Sequence, residues 1–318
     1  MIDVGGEKPL TLANYLRQAP KIRQMINDLN VDILHAHYCT SYGFIGAFSN
    51  KHPLVVTAWG SDILVSPAES ILYRYLVRWV FNRADMVTSM ADHMTRHMLL
   101  RKYVDPKKVI TIPFGVDTNE FNPSYKPKVR DRSGFLVLST RRLDRICDVS
   151  TLIKAAPIVL KKVPETKFIV ASDGPLREEL EAMVAQGNLS ESLTFAGWIP
   201  QNDLPQLLTS SDIVVSTAIS DGNNVSLNEA MACGAFPIAT DIPANREWLV
   251  DGENGLLFPP GNAEALAEKI VSALQNHKLR ISAAHLNWEI IQKRASWLFY
   301  VEKMEQHYYH LLKSFNDI

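Results

Sequence analysis

Short apolar runs alternate with stretches of helical periodicity along almost the whole chain, and this alternation limits the possible folds more than any other feature. Strands separated by helices pair in parallel, because each helix returns the chain to the same edge of the sheet. The alternation runs twice, before and after a stretch rich in proline. The sequence therefore predicts an α/β protein with two Rossmann-like, doubly wound domains that face a cleft.

The apolar runs predict four strands in the first series and six in the second. The first-series strands are Val31–His35, Pro53–Thr57, Met86–Ser89 and Val109–Ile112. The second-series strands are Phe135–Ser139, Lys167–Ala171, Leu193–Ala196, Asp212–Ser216, Phe236–Thr240 and Gly255–Phe258. The predicted helices are Leu10–Leu29, Ser70–Asn82, Met90–Lys102, Val149–Val163, Pro175–Gln186, Asn202–Thr209, Ser226–Cys233 and Ala263–Gln275.

Proline and glycine interrupt the periodicity over Pro113–Ser133, as is typical of a linker. The predicted parts are a first domain over residues 1–121, a linker over 122–133, a second domain over 134–286 and a C-terminal segment over 287–318. Within the last part, Trp288–Phe315 has the pattern of one long aromatic helix. We expect this helix to pack back on the first domain.

Several classes of protein and site find no support in the sequence. The three cysteines lie far apart without a C-x-x-C pair, which argues against disulfides and a cysteine zinc site. The sequence has no H-E-x-x-H, no G-x-S-x-G and no recognisable nucleic-acid motif, so we expect no metalloprotease, serine hydrolase or nucleic-acid partner. Without a long apolar run or a signal peptide, the chain is expected to be cytoplasmic.

The most informative segment is Ser220–Gly234, S-D-G-N-N-V-S-L-N-E-A-M-A-C-G, which follows a predicted strand and opens a predicted helix. Its Gly and Asn residues favour a tight loop, and the N–H groups at the helix start can hold an anion. Asp221 and Glu229 are spaced to reach ligand hydroxyl groups from the loop and the helix. An alternative stays open for Glu229, because Ser226-x-x-Glu229 is also a capping box.

Read as a whole, this segment resembles the donor-site motif of family-4 retaining glycosyltransferases, the glycosyl transferases group 1 with the GT-B fold. In that motif an acidic residue precedes a Glu by eight positions and A-M-A-x-G follows. Further similar strings occur in the family's order across nearly the whole chain. They are H-A-H-Y (35–38), P-F-G-V-D-T-N-E-F (113–121), S-D-G-P-L (172–176), G-W-I-P (197–200), F-P-I-A-T-D (236–241), N-R-E (245–247) and D-G-E-N-G-L-L-F-P-P-G-N (251–262).

The resemblance implies roles for the matching positions. Glu229 would hold the donor ribose, Asp221 the hydroxyl groups of the transferred sugar, and Arg142 the diphosphate. The other expected donor-binding residues are Arg141, Arg145, Trp198, Ile199, Gly222, Asn223, Asn224, Val225, Ser226 and Leu227. The base would lie near Trp198. We expect neither a cofactor nor a metal, because Arg and helix N–H groups replace an acidic D-x-D pair; the substrate would be a UDP- or GDP-hexose.

The chain also departs from the family pattern. Cys147 stands where many relatives have a phosphate-binding Lys, which removes one positive charge. Asp221 replaces a Glu and has a shorter reach. Trp59 stands where relatives have a His, so the role of that histidine is not transferred. The relatives' first strand and Gly-rich loop are not recognisable before Val31, which predicts a truncated first domain whose sheet edge is unpaired or binds a partner chain or second copy.

The acceptor side gives weaker signals. His37, Trp59 and Asp62 are acceptor-side candidates, although the position of His37 at a strand end favours a structural role for it. Residues 1–130 carry 16 Lys+Arg against 11 Asp+Glu (+5), and the remainder carries 17 against 23 (−6). Basic and apolar residues interleave over Ile71–Lys108, which fits either a core helix with a solvated Arg stripe or docking on an anionic membrane.

Two functions from different classes follow. The first is a metal-independent retaining glycosyltransferase that moves a hexose to a hydroxyl acceptor, a glycan or a lipid-linked sugar, in envelope polysaccharide or glycolipid synthesis. It would act in the cytoplasm, peripherally on the inner face of the membrane. The second is a non-catalytic or partner-requiring nucleotide-sugar-binding subunit. A GT-B epimerase or phosphorylase is a weaker alternative, because the order of the motifs is that of the transferases.

Overall fold

The computed structural model describes residues 12–125 and 134–316 of the chain. The described residues form two compact units, one within residues 1–113 and 301–318 and the other within residues 114–300. The predicted linker falls mostly in 126–133, and part of the segment before Val31, where the relatives' first strand and Gly-rich loop are not recognisable, falls in 1–11. Both lie outside the described residues.

The strands fall close to their predicted positions. Those of the first unit are Leu34–His37 (β1), Leu54–Ala58 (β2), Met86–Ser89 (β3) and Val109–Thr111 (β4). Those of the second unit are Phe135–Ser139 (β5), Thr166–Val170 (β6), Leu193–Phe195 (β7), Ile213–Ser216 (β8), Phe236–Thr240 (β9) and Leu256–Phe258 (β10).

The helices include several short ones that periodicity does not predict. Those before residue 113 are Leu12–Asp28 (α1), Phe44–Ser49 (α2), Ser61–Leu64 (α3), Ser66–Glu69 (α4), Ile71–Arg83 (α5) and Asp92–Leu100 (α6). The later ones are Val149–Lys162 (α7), Arg177–Gln186 (α8), Leu204–Ser210 (α9), Val225–Ala232 (α10), Pro243–Arg246 (α11), Ala263–Gln275 (α12), His277–Arg294 (α13) and Trp297–Asn316 (α14). A π-helical turn spans Tyr38–Gly43, and a 3₁₀ turn spans Pro123–Tyr125.

The described strands of the first unit pair in parallel in the order β1-β2-β3-β4. Strand β1 bonds to β2 in the register Leu34 to Leu54 and lies at the edge of this described sheet. The second and third strands are buried along their whole length. Helices cover them because a parallel sheet in water needs both faces covered.

The second unit contains six parallel strands in the order β10-β9-β8-β5-β6-β7. The strand order reverses between β5 and β8, so the loops after these two strands leave on either side of one crevice. Its largest core packs α7 and α12 on one face of the sheet, with Leu152, Val159 and Ile270 fully buried. This topology places the loops that carry Arg141 and Asp221 next to each other.

Residues 114–121 belong to the second unit, which corrects their predicted place in the first domain. Val116 and Phe121 are buried in a core cluster with Leu138 and Leu227. Gly115 is needed there, because a Cβ would lie 2.6 Å from the Cα of Trp297. Within the stretch whose proline and glycine content indicated a linker, residues 114–121 therefore form a tightly packed irregular segment.

The single C-terminal helix predicted over Trp288–Phe315 is also corrected. The structure has two helices, α13 and α14, which are separated at Ala295 and Ser296. The N–H of Val116 donates to the Ala295 carbonyl at 2.7 Å, and the N–H of Trp297 donates to the Val116 carbonyl at 2.8 Å. These bonds to a distant segment interrupt the helix. From residue 301 onward, α14 is part of the first unit.

None of the helices in the described ranges is long and apolar enough to cross a membrane.

Candidate functional site

The candidate donor site lies at the strand-order reversal of the second unit. The loop after β5 and the loop after β8 are tied together by two hydrogen bonds. The Thr217 hydroxyl donates to the Cys147 carbonyl at 2.6 Å, and the N–H of Ile219 donates to the Ile146 carbonyl at 2.9 Å. These bonds fix the loops that carry the predicted donor-binding residues.

A third loop, which follows β6 and contains the S-D-G-P string, packs on the loop after β5. The N–H of Leu143 donates to the Asp173 carbonyl at 3.1 Å. A Cβ at Gly174 would lie 2.5 Å from the Leu143 carbonyl oxygen, so only glycine allows this approach. This contact accounts for the glycine in the quoted string.

Arg141 is the buried cation of the site, and its side chain is only 16% exposed. Its Nη2 donates to Asp221 at 2.8 Å, and its Nη1 donates to Asn224 at 2.9 Å and to Ser226 at 3.1 Å. Burial lowers the pKa of Arg141, but the Asp221 carboxylate and the contact with Cys147 outweigh burial and raise it above its usual value. The guanidinium therefore stays charged.

Asn224 connects the elements around the site and is fully buried. Its side-chain oxygen caps helix α10 by accepting from the N–H of Leu227. Its amide donates to Ser216 and to Asn245, each at 2.9 Å. Because the cap uses the Leu227 N–H, and the Val225 N–H donates to the Asn223 carbonyl, these two predicted anion donors are already engaged.

Glu229 lies one turn into α10 and is largely buried. Burial raises the pKa of its carboxyl to about 7. Ser226, its partner in the alternative capping box, has its hydroxyl bonded to Arg141 and to Asn224 instead. The residue that caps the helix is Asn224, which favours a role for Glu229 other than capping.

The remaining predicted donor residues differ in their exposure to solvent. Arg142 is 70% exposed, and its Nε lies 3.7 Å from an Asp144 oxygen. Arg145 is also exposed, Gly222 and Asn223 are buried in the loop before α10, and Ile199 is half-buried. Trp198 is 72% exposed, so the structure places this ring outside the core.

The candidate acceptor residues lie at the carboxyl edge of the first unit's sheet. The indole Nε1 of Trp59, after β2, donates to Nδ1 of His37, at the end of β1, at 3.3 Å. Tyr38 follows with a φ of +77°, which is rare for a residue with a side chain, and its hydroxyl lies 2.9 Å from the Ser61 hydroxyl. Strained backbone and a π-helical turn together are frequent at functional sites.

Asp62, the third acceptor-side candidate, is fully buried, unlike His37 and Trp59. Its carboxylate is fully buried and accepts from the N–H groups of Cys39 at 2.7 Å, Trp59 at 3.0 Å and Gly60 at 2.9 Å. Burial raises its pKa, although these hydrogen bonds act to lower it. Asp62 therefore holds the two loops in place, and we no longer expect it to contact an acceptor directly.

The two histidines of β1 are neutral. His35 lies between Tyr308 at 2.5 Å and Thr57 at 2.6 Å, and burial with the nearby His37 lowers its pKa to about 3. Burial also lowers the pKa of His37. Because Nδ1 of neutral His37 accepts from Trp59, its proton is on Nε2.

Sequence reasoning missed two residues of these sites. Asn245 accepts from Asn224 and donates to the Thr240 carbonyl at 2.8 Å, so it links α10 to β9. Asn245 belongs to the quoted N-R-E string, and that string is the sequence feature that could have identified it. Tyr308 bonds to His35 from the far end of the chain, and no local pattern predicts that contact.

Comparison with known proteins assigns these elements to a family. The model of "Glycosyl transferases group 1" matches residues 123–285, and that of "Glycosyl transferase 4-like" matches residues 5–91. The gpi3 subunit of phosphatidylinositol N-acetylglucosaminyltransferase from Schizosaccharomyces pombe is 22% identical over 303 residues. That match covers 94% of this chain and 65% of the relative, so the chain spans slightly under two thirds of its length. N-acetyl-alpha-D-glucosaminyl L-malate synthase of Bacillus anthracis is 23% identical, with 94% and 80% covered.

Solved structures give the same fold. Anabaena Alr3699/HepE, in complex with UDP and glucose, superposes with a TM-score of 0.83 at 21% identity, over 96% of this chain and 84% of that one. Sucrose-phosphate synthase from Thermosynechococcus elongatus superposes with a TM-score of 0.84 at 20% identity, over 98% and 82%. The predicted GT-B architecture of two Rossmann-like units is confirmed.

Proposed function

Because the chain belongs to the glycosyl transferases group 1, we propose that it transfers a hexose from a nucleotide-sugar donor to a hydroxyl acceptor with retention of anomeric configuration. The observation that carries the proposal is the cluster of polar side chains at the strand-order reversal of the second unit. There the buried Arg141 bonds to Asp221 and to Asn224, the residue that caps α10. Glu229 lies one turn into that helix. Family matches on both units support the same reading.

Four side chains of the second unit have parts in the proposed reaction. Glu229 accepts hydrogen bonds from the donor ribose, and Trp198 offers an exposed ring on which the base stacks. Positive charge on Arg141 and Arg142 stabilises the leaving diphosphate. A diphosphate oxygen that accepts the acceptor's proton makes a separate general base unnecessary. The reaction is proposed to need no metal.

Calorimetric titration with UDP, GDP and their hexose adducts tests this function. We expect one nucleotide sugar to bind, Glu229→Ala to weaken that binding, and the donor to be hydrolysed slowly in the absence of an acceptor. Glu253→Ala, at an exposed position of the same unit, is the matched control. Failure of every nucleotide to bind would contradict the proposal.

A second candidate is a nucleotide-sugar-binding subunit that needs a partner, and a groove in the first unit favours it. The groove has a volume of about 710 Å³ and lies along edge strand β1. Ile22 and Ile26 of α1 line it together with Leu29, Leu34 and Ile45. A partner chain or a second copy could pair with the edge strand there. Donor binding without turnover, with turnover restored by another chain, would favour this candidate.

The acceptor is proposed to be a glycan or a lipid-linked sugar presented at an anionic membrane on its cytoplasmic face. Ile71, Leu72 and Tyr75 of α5 are 60%, 75% and 64% exposed, and Arg74 and Arg78 lie among them. Exposed apolar side chains beside arginines suit an anionic bilayer. The gpi3 relative is named for its action on phosphatidylinositol. Binding to phosphatidylglycerol vesicles should exceed binding to phosphatidylcholine vesicles and be lost in Leu72→Glu/Tyr75→Glu.

A further inference from the structure

Two adjoining cavities lie in the second unit, away from the candidate donor site. One has a volume of about 440 Å³ and the other of about 480 Å³, and Trp288 of α13 lines both. Asp212 and Gly234, which line the first cavity, come just before β8 and β9 begin. Because the strands of this sheet are parallel, the cavities lie at its amino edge, whereas the donor loops leave its carboxyl edge. The two cavities together form the amino-edge cleft.

The second cavity is lined by polar, uncharged side chains of one irregular segment. These are Thr118, Asn119, Asn122 and Ser124. The Asn122 side chain braces the segment, because its amide donates to the Asn119 carbonyl at 2.8 Å and its oxygen accepts from the Ser124 N–H at 3.0 Å. The described hydrogen bonds of Asn119 and Ser124 use their backbone groups. The side chains of Thr118, Asn119 and Ser124 can therefore donate to a ligand and accept from it.

The first cavity is lined mainly by one helix, α13. The helix contributes His277, Arg280, Ile281, Ala284, His285 and Trp288. Trp288 is half-buried and packs on the core beneath it. Nη1 of Arg280 donates to the carbonyls of Ala273 and Leu274 at the end of α12. Arg280 and Asp212 carry opposite charges, so the formal charges of the lining residues cancel when histidine is counted as neutral. The lining therefore favours an uncharged ligand.

The chemistry of the cleft indicates the class of this ligand. A ligand that fits must be uncharged, must offer several hydrogen-bonding groups and must cover an aromatic ring. A sugar meets these conditions, because hydroxyl groups surround its ring while its C–H groups form an apolar face. Each cavity also falls within the usual size range of ligand sites, about 300–1,000 Å³. The pair can therefore hold more than one sugar residue.

We propose that the amino-edge cleft binds an uncharged glycan chain of two or more sugar residues, with one sugar ring stacked on Trp288 and hydroxyl groups bonded to Thr118 and Asn119. The inference goes beyond the proposed function, because binding at this edge requires neither the donor nor turnover. For a glycosyltransferase that extends a glycan, such a site keeps the chain at the enzyme between transfers and raises the effective concentration of its acceptor end.

Affinity electrophoresis tests the proposal, with dextran, mannan, galactomannan or hydroxyethylcellulose in native gels and no nucleotide present. We expect at least one of these uncharged polysaccharides to retard the wild-type chain. Trp288→Ala should raise the apparent Kd about tenfold or more, because aromatic anchors dominate binding. Thr118→Ala/Asn119→Ala should raise it about three- to tenfold through lost hydrogen bonds. Trp198→Ala, which removes an exposed ring from the donor side of the same unit, is the matched control and should leave the Kd unchanged.

Thermal unfolding shows which variants are folded at the temperature of the gel. Because Trp288 packs partly on the core, the double variant at Thr118 and Asn119 keeps the test decisive if Trp288→Ala does not fold. The proposal is overturned if none of the four polysaccharides retards the wild-type chain, or if a folded cleft variant is retarded as strongly as wild type.

Two other outcomes would also overturn the proposal. Retardation that is lost in Trp198→Ala would place the bound sugar at the donor side. Retardation by heparin but by none of the uncharged polysaccharides would show that the chain recognises charge. Titration with nucleotides tests the proposed function separately, so glycan binding at the amino edge and donor binding at the carboxyl edge can fail independently of each other.

Discussion

The carboxyl edges of the two sheets are both formed by parallel strands, but the side chains that they carry differ in chemistry. In the second unit, a carboxylate at that edge pairs with a guanidinium, and the pair lies at a helix N-terminus. In the first unit, the corresponding carboxylate, Asp62, is enclosed by backbone N–H groups, and the side chains around it are neutral rings. The edge in the second unit carries a charged pair at a helix N-terminus, and the edge in the first unit carries a buried carboxylate that holds loops in place beneath aromatic groups.

The largest effect is expected from Asp62→Ala, which leaves three N–H groups in the first unit without their acceptor. We expect the free energy of unfolding to fall by about 3–5 kcal/mol, because each buried donor that loses its partner is costly. Urea denaturation measures it. Asp62→Asn, which retains an oxygen acceptor, should lower the free energy of unfolding by less. Asp32→Ala, at an exposed position, should leave it almost unchanged.

If Asp62→Ala lowers the free energy of unfolding by less than about 1 kcal/mol, the Asp62 carboxylate does not hold the loops in place, and this difference between the two edges is wrong. A folded Asp62→Ala chain should still bind nucleotide with wild-type affinity, because every donor-site residue lies in the second unit. Loss of nucleotide binding at a temperature where the chain is folded would contradict that assignment.

The sequence predicted the elements of both edges better than their contacts. Every strand that carries a candidate residue was located to within three residues at each end, because buried parallel strands are continuous apolar runs with clear limits. Arg141 and Arg142 are adjacent and chemically identical, so spacing could not show that the first is buried and the second exposed.

Other features depend on distant parts of the chain. The break between α13 and α14 follows from hydrogen bonds to Val116, nearly 180 positions away (295 − 116 = 179). Tyr38 has a positive φ at the point where the loops after β1 and β2 meet, although a residue with a side chain disfavours this angle. Contacts of this kind are decided by tertiary packing, which periodicity does not record.

Donor binding should depend on pH through Glu229, a buried carboxyl of the second unit. Burial raises the pKa of Glu229 to about 7, so its carboxylate fraction rises about tenfold between pH 6 and pH 8. Because the carboxylate is the better acceptor for ribose hydroxyls, affinity for the nucleotide sugar should rise about tenfold over that range. Titration calorimetry measures it with a nucleotide sugar, whose diphosphate diester does not titrate there.

The contribution of Glu229 to the free energy of unfolding should fall as the pH rises, whereas its contribution to donor binding should increase. A carboxyl whose pKa is raised on folding contributes stability below its unfolded value of 4.5, and this contribution is lost as the pH rises through about 7. Glu229→Gln should therefore abolish the pH dependence of binding and make the chain more stable than wild type at pH 8 but not at pH 4. A Gln variant that retains the binding profile would assign the titration to another group.

The smallest effect is expected from Trp59→Phe in the first unit, which keeps an aromatic ring and removes the N–H that bonds to His37. A neutral hydrogen bond at a half-exposed site is worth about 1 kcal/mol, so the KM for an acceptor should rise about three- to fivefold. Octyl glucoside, octyl galactoside and octyl mannoside serve as test acceptors. The KM for the donor should stay constant, because Trp59 belongs to the neutral edge. Trp198→Phe, in the second unit, is the counterpart and should change only the donor KM. A shift of the donor KM in Trp59→Phe would contradict the assignment of Trp59 to the acceptor side and with it the division of donor and acceptor residues between the two units.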